Sequence, residues 1–173
     1  KEVILTGIHI GAYGRGVKDE TCDLTGLCRR ILDETAIERL RIGSLEGIEV
    51  TDALIEMIAS DERMAKHLHL PLQSGCDRTL SAMRRPYDTE QFREMMRRIR
   101  GKVPNIAITT DLMVGFPGET DEDFKESLVF CNDIAFSAMH IFKYSMRSGT
   151  PAAAMPDQID PQIKERRAKQ MAD

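Results

Sequence analysis

The sequence predicts an α/β fold in which parallel strands alternate with helices. Three observations carry the prediction. Short β-favouring apolar runs recur roughly every 30 to 40 residues, the spacing of βαβ units. Helix-period stripes fill the gaps between them, and five of the runs end in polar clusters, most of them holding glycine. A gap wide enough for a helix makes a crossover connection, and crossovers leave neighbouring strands parallel. Strand C-termini then gather on one edge, where parallel α/β folds build their sites.

Taken in order, residues 2–7 read as a short buried strand, with Val3, Ile4 and Leu5 stopped by Gly7. From Asp23, the positions Leu24, Leu27, Cys28, Ile31 and Leu32 share one helix face. Residues 39–44 form the next strand. Thr51 or Asp52 caps a helix that carries Leu54, Ile55 and Ile58 inward. Residues 67–72 alternate and stop at Gln73-Ser74-Gly75. Asp88 with Gln91 gives an approximate capping box, followed by the stripe Phe92, Met95, Met96 and Ile99. Residues 106–114 are the fourth strand. Thr120 with Asp123 opens a helix with Phe124, Leu128, Cys131 and Ile134 inside. Residues 138–144 are the fifth strand, and residues 161–171 a closing helix. Five such units cannot close an eight-stranded barrel, so an open partial barrel or a doubly wound sheet remains.

The chain has the size of one domain, 173 residues, with a formal net charge of −4. Its apolar stretches fall far short of the roughly 20 residues that cross a bilayer, which argues against a membrane partner. An acidic balance excludes a domain that holds nucleic acid by bulk charge alone. Cys22, Cys28, Cys76 and Cys131 show no Cys-x-x-Cys spacing, and a reducing cytoplasm is the expected location. Cys28 and Cys131 sit on apolar helix stripes and read as core residues. The chain begins inside a strand pattern, so it is expected to be a piece of a longer protein.

Several clusters have both a structural and a chemical reading. In Asp111-Leu112-Met113-Val114-Gly115-Phe116-Pro117-Gly118-Glu119-Thr120 a strand ends, glycines turn the chain and a capped helix begins. Glycines there admit a ligand to the backbone, and the same residues also make a plain tight turn. Asp111 stands in an otherwise apolar and hydroxylic strand, where a carboxylate needs partners. The stretch Gly7-Ile8-His9-Ile10-Gly11-Ala12-Tyr13-Gly14 spells neither the dinucleotide fingerprint nor a phosphate loop. His67 and His69 share a strand face without an evident third ligand, and no residue of the chain is assigned to a metal. Arg84 and Arg85 suit a phosphate contact or a solvated helix end.

Together with Arg41-Ile42-Gly43-Ser44-Leu45-Glu46, His67-Leu68-His69-Leu70-Pro71-Leu72-Gln73-Ser74-Gly75 and Phe142-Lys143-Tyr144-Ser145-Met146-Arg147-Ser148-Gly149-Thr150-Pro151-Ala152, these clusters strongly resemble the radical S-adenosylmethionine methylthiotransferases. The resemblance spans nearly the whole chain. It implies a partial (β/α) barrel of the radical SAM type, with helices outside and the N-terminal strand missing. It also implies S-adenosylmethionine as cofactor, cleaved reductively at a [4Fe-4S] cluster to give a 5′-deoxyadenosyl radical that abstracts hydrogen from the substrate. One branch of the family modifies threonylcarbamoyladenosine beside the tRNA anticodon. A second modifies isopentenyladenosine at that place, and a third an aspartate of a ribosomal protein. Residues 7–14 look most like the first branch.

By this analogy Ser44, Glu46, Gln73, Ser74, Asp111 and the Val114-Gly115 backbone are expected to contact the cofactor. His9, Tyr13, Arg85, Tyr144 and Arg147 are the substrate-side candidates, the last two contacting substrate or bracing the rim. The family's Cys-x-x-x-Cys-x-x-Cys run is absent. Residues 1–173 are therefore expected to be a core fragment without its cluster-binding unit, N-terminal domain and C-terminal RNA-binding domain, inactive alone. The implied partners are the tRNA anticodon arm and an electron donor, and an unpaired sheet edge invites self-association. A different radical S-adenosylmethionine enzyme and a non-catalytic α/β ligand-binding domain are the alternatives.

Overall fold

The computed structural model describes residues 1–18 and 22–172. Strands and helices alternate along them as β1 (Glu2–Leu5), α1 (Leu24–Glu34), β2 (Arg39–Ile42), α2 (Asp52–Ser60), β3 (His67–His69), α3 (Asp77–Ala82), α4 (Thr89–Lys102), β4 (Ala107–Val114), α5 (Asp121–Ile134), β5 (Ala138–Lys143) and α6 (Pro161–Ala172). β1 pairs with β2 and β3 with β4, each in parallel, and β4 lies between β3 and β5 in its sheet. The short helix α3 is absent from the sequence expectation, because six residues are too few to show a helical period.

The chain folds as two compact units, and β4 runs from one into the other. The first unit holds Lys1–Pro71 and Met95–Thr109. Its core is aliphatic, with Leu40, Ile42, Leu54, Ile55, Ile58 and Leu68 almost fully buried. Side-chain caps start its helices: the Asp23 carboxylate accepts from the Gly26 N–H at 2.6 Å, and Thr51 Oγ1 accepts from Leu54 N–H at 3.2 Å. Beyond β2 the chain stays in register, with Ser44 bridging His69 and Leu45 N–H donating to the His69 carbonyl at 3.1 Å. One expectation fails here. β1 is not a buried strand, since Val3 and Ile4 are 44% and 54% exposed. Among the described residues it pairs with one strand, β2.

The second unit holds Leu72–Glu94 and the residues from Thr110 onward. The Thr120–Asp123 capping box forms in full and starts α5. Asp88 and Gln91 also exchange hydrogen bonds reciprocally, at 2.8 and 3.0 Å. Phe92 meets Phe130 and Phe136 edge-on. Gly75 is pressed against α5: its N–H donates to Ser127 Oγ at 2.9 Å, and a Cβ there would crowd Phe130. That fixes where the loop after β3 leaves the sheet. α6 packs beside β5.

Candidate functional site

In the first unit the expected residues follow β1 and β2. Ser44 is exposed and Glu46 half-buried, directly after the last paired residues of β2. His9 and Tyr13 lie in the glycine-rich turn after β1. That turn is tied down by a residue the sequence did not single out. Glu49, with a side chain only 4% exposed, puts Oε1 at 2.6 Å from His9 Nε2 and accepts from Arg15 Nη2 at 2.7 Å. Its Oε2 is buried without a hydrogen-bond partner, against Gly11, where a Cβ would overlap the carboxylate. Tyr13, Arg15, Cys22 and Glu49 border a cavity of about 280 Å³. That volume falls just below the usual range for a ligand pocket, roughly 300 to 1,000 Å³. Glu49 looks like any acid of a short turn in sequence, so only the fold reveals it.

The two strand histidines share one partner. Thr109 Oγ1 lies 3.2 Å from His67 Nε2 and 2.9 Å from His69 Nδ1. His67 Nδ1 is buried without a partner, and burial holds this imidazole's pKa below its ordinary value.

In the second unit Gln73, Ser74, Asp111, Val114 and Gly115 come together at the ends of two neighbouring chain segments. Gln73 N–H donates to the Asp111 carbonyl and Met113 N–H to the Gln73 carbonyl, both at 2.9 Å. Gln73 holds φ at +69°, a left-handed conformation costly for a residue with a Cβ. Ser74 is buried and its Oγ accepts from Cys76 N–H at 3.2 Å, so it shapes the loop. Asp111 is half-buried, with a carboxylate oxygen 3.2 Å from His140 Nδ1.

The Val114–Gly115 peptide is engaged on both sides. The Val114 carbonyl accepts from Tyr144 N–H at 2.9 Å, and Gly115 N–H donates to Glu119 Oε1 at 2.9 Å. The Gly115 N–H is thus spent on Glu119, while a carbonyl such as that of Val114 has a second lone pair. Tyr144 is 8% exposed and stacks edge-on against Phe116, which suits bracing better than substrate contact. Arg85 is half-buried after α3. Arg147 is exposed, its carbonyl accepting from Thr150 Oγ1 at 2.8 Å.

All four cysteines are unbridged, and Cys28, Cys76 and Cys131 are buried. Burial pushes the Cys28 thiol up to about 11 and the Cys131 thiol up to about 12. Among the described residues no helix is long and apolar enough to cross a membrane.

A family model described as the Radical SAM superfamily matches residues 19–131. The threonylcarbamoyladenosine tRNA methylthiotransferase of Bacillus subtilis is 41% identical over 173 residues, covering 99% of this chain and 38% of that protein. The tRNA-2-methylthio-N(6)-dimethylallyladenosine synthase of Thermoanaerobacter pseudethanolicus is 40% identical over 99% of this chain and 36% of its own length. That of Neisseria meningitidis serogroup B is 41% identical over 96% of this chain and 38% of its own. The chain thus spans well under half of these relatives. Among solved structures, coproporphyrinogen III oxidase from Escherichia coli superposes with a TM-score of 0.66 at 17% identity, over 84% of this chain and 35% of that one. That likeness shows the fold, a partial barrel of parallel strands.

Proposed function

Because this chain belongs to the radical SAM superfamily, we propose that it is the core of a tRNA methylthiotransferase acting on threonylcarbamoyladenosine beside the anticodon. The single observation that carries the reading is the 41% identity over 99% of the chain to the Bacillus subtilis enzyme of that activity. The glycine-rich turn of residues 7–14 points to the same branch. The dimethylallyladenosine enzymes align almost as well, so that nucleoside is the second reading. Unbridged cysteines suit action in the reducing cytoplasm.

The donor types in each unit suit S-adenosylmethionine. In the first unit Glu46 offers a carboxylate and Ser44 a hydroxyl. In the second, Asp111 offers a carboxylate and Gln73 an amide, groups that suit an ammonium or ribose hydroxyls. When bound, the cofactor supplies the methyl group and the radical chemistry. The chain's own part is to orient it and exclude water. Bracing of the turn falls to Ser74, Val114, Gly115 and Tyr144. His9, Tyr13, Arg85 and Arg147 are the groups proposed to meet the tRNA. The cysteines of this chain do not fit an iron–sulfur cluster. Its thiolates and its electron donor are proposed to come from elsewhere in the full-length protein and the cell.

The test is nucleoside mass spectrometry of tRNA incubated with the full-length, cluster-loaded protein. The methylthio derivative of threonylcarbamoyladenosine is the expected product. Methylthiolation only of the dimethylallyl nucleoside selects the second reading, and no methylthio product on either removes both.

A further inference from the structure

We propose that Arg167 is a positioning residue for the turn after β4, holding the Gly115 peptide in place through Glu119. This rests on the reading of that turn as the edge that meets S-adenosylmethionine.

Arg167 lies in a helix with three other basic residues, Lys164, Arg166 and Lys169, yet its side chain is only 4% exposed. Its Nη1 donates to the Glu119 carbonyl at 3.1 Å and to Glu119 Oε1 at 2.7 Å, while Nη2 donates to Asp121 Oδ1 at 2.7 Å. The guanidinium also lies 5.6 Å from the centre of the Phe124 ring. A planar fork engaged on two sides has little freedom left to rotate. The partner carboxylate, 3% exposed, spends the same Oε1 on Gly115 N–H. One oxygen therefore joins a residue of α6 to the amide that ends β4.

The same helix reaches the turn a second time. Gly115 has φ +73°, and a Cβ there would run into the stem of Lys164, one helical turn before Arg167. Lys164 Nζ donates to the Tyr144 carbonyl at 3.1 Å and lies 5.0 Å from the centre of the Tyr144 ring. Tyr144 N–H is in turn bonded to the Val114 carbonyl. α6 thus holds the ends of β4 and β5 by separate links. A capping role for Glu119 requires neither Arg167 nor the bond to Gly115.

The experiment compares Arg167→Met, Glu119→Ala and Glu119→Gln with wild type in the full-length, cluster-loaded protein. The readings are S-adenosylmethionine affinity by equilibrium dialysis and hydrogen exchange of the 112–120 peptide. Glutamine keeps an acceptor oxygen for Gly115 N–H, so Glu119→Gln stays within about twofold of wild type, whereas Glu119→Ala and Arg167→Met bind roughly tenfold more weakly. Those two variants also exchange faster at residues 115–119 and not in β1–β2. Unchanged affinity in Arg167→Met overturns the inference, as does equal loss in the alanine and glutamine variants. Uniform loosening across the chain overturns it too. If Arg167→Met does not fold, the Glu119 pair decides. A wild type that does not bind S-adenosylmethionine overturns the reading of the turn, and this inference with it.

Discussion

His67 shows how a side chain at a strand face sets a pH dependence. Its imidazole is held by Thr109 on one nitrogen and buried on the other, and burial lowers its pKa from the ordinary 6.5. Above that ordinary value both the folded and unfolded chains carry it neutral, and its contribution to stability is fully present. As pH falls below it, the unfolded chain takes up the proton first, so stability drops until the lower folded pKa is passed. Denaturant melts from about pH 7.5 to about pH 5.5 should therefore show a steeper loss in wild type than in His67→Gln. Parallel slopes would refute the assignment. Sequence pattern placed this histidine on the right face, but Thr109 belongs to another strand and could not be paired with it from spacing alone.

Among the elements, α5 gives the sharpest expectation, because its start is bonded on every side. Thr120 Oγ1 accepts from Asp123 N–H at 3.2 Å, the Asp123 carboxylate accepts from Thr120 N–H at 2.7 Å, and Arg78 pairs with the same carboxylate. Thr120→Ala should cost about 1 to 2 kcal/mol in chemical denaturation, the range for losing a helix cap. A change below a few tenths would mean that Arg78 replaces the cap. This box was legible because its residues stand three apart. The second bond of Glu119 was not, since a carboxylate ahead of a helix looks the same whether or not it turns back to Gly115. Arg167 left a trace: it falls four residues from both Ile163 and Met171, on the stripe that α6 buries. A charged residue on an apolar stripe was the available signal.

At the scale of the whole molecule, the parallel α/β order followed from strand spacing and from five polar strand ends. What covers each strand did not. The alternation of Ala107–Val114 continues unbroken through the residues where one compact unit gives way to the other, so the division left no mark in the sequence. β1 carries exposed Val3 and Ile4 beside a single partner strand. Such an edge is a template for pairing with a second chain. Sedimentation of this chain should show concentration-dependent association that Ile4→Lys abolishes. Association of equal strength in the lysine variant would place the contact elsewhere.

The packing of Gly11 on the Glu49 carboxylate bears on which sequences this turn can tolerate. A methyl group at position 11 has nowhere to go while position 49 keeps its full side chain, so the two sites are not free to vary independently. Gly11→Ala alone should destabilise by about 1 to 3 kcal/mol, the usual cost of overpacking. The same change made together with Glu49→Ala should cost less than the two single costs combined, a coupling on the order of 1 kcal/mol in a double-mutant cycle. Strict additivity would mean that the turn relaxes around the methyl. With coupling, any descendant of this sequence that gives up the glycine must shorten the acid first, and His9 and Arg15 then lose the anchor they share.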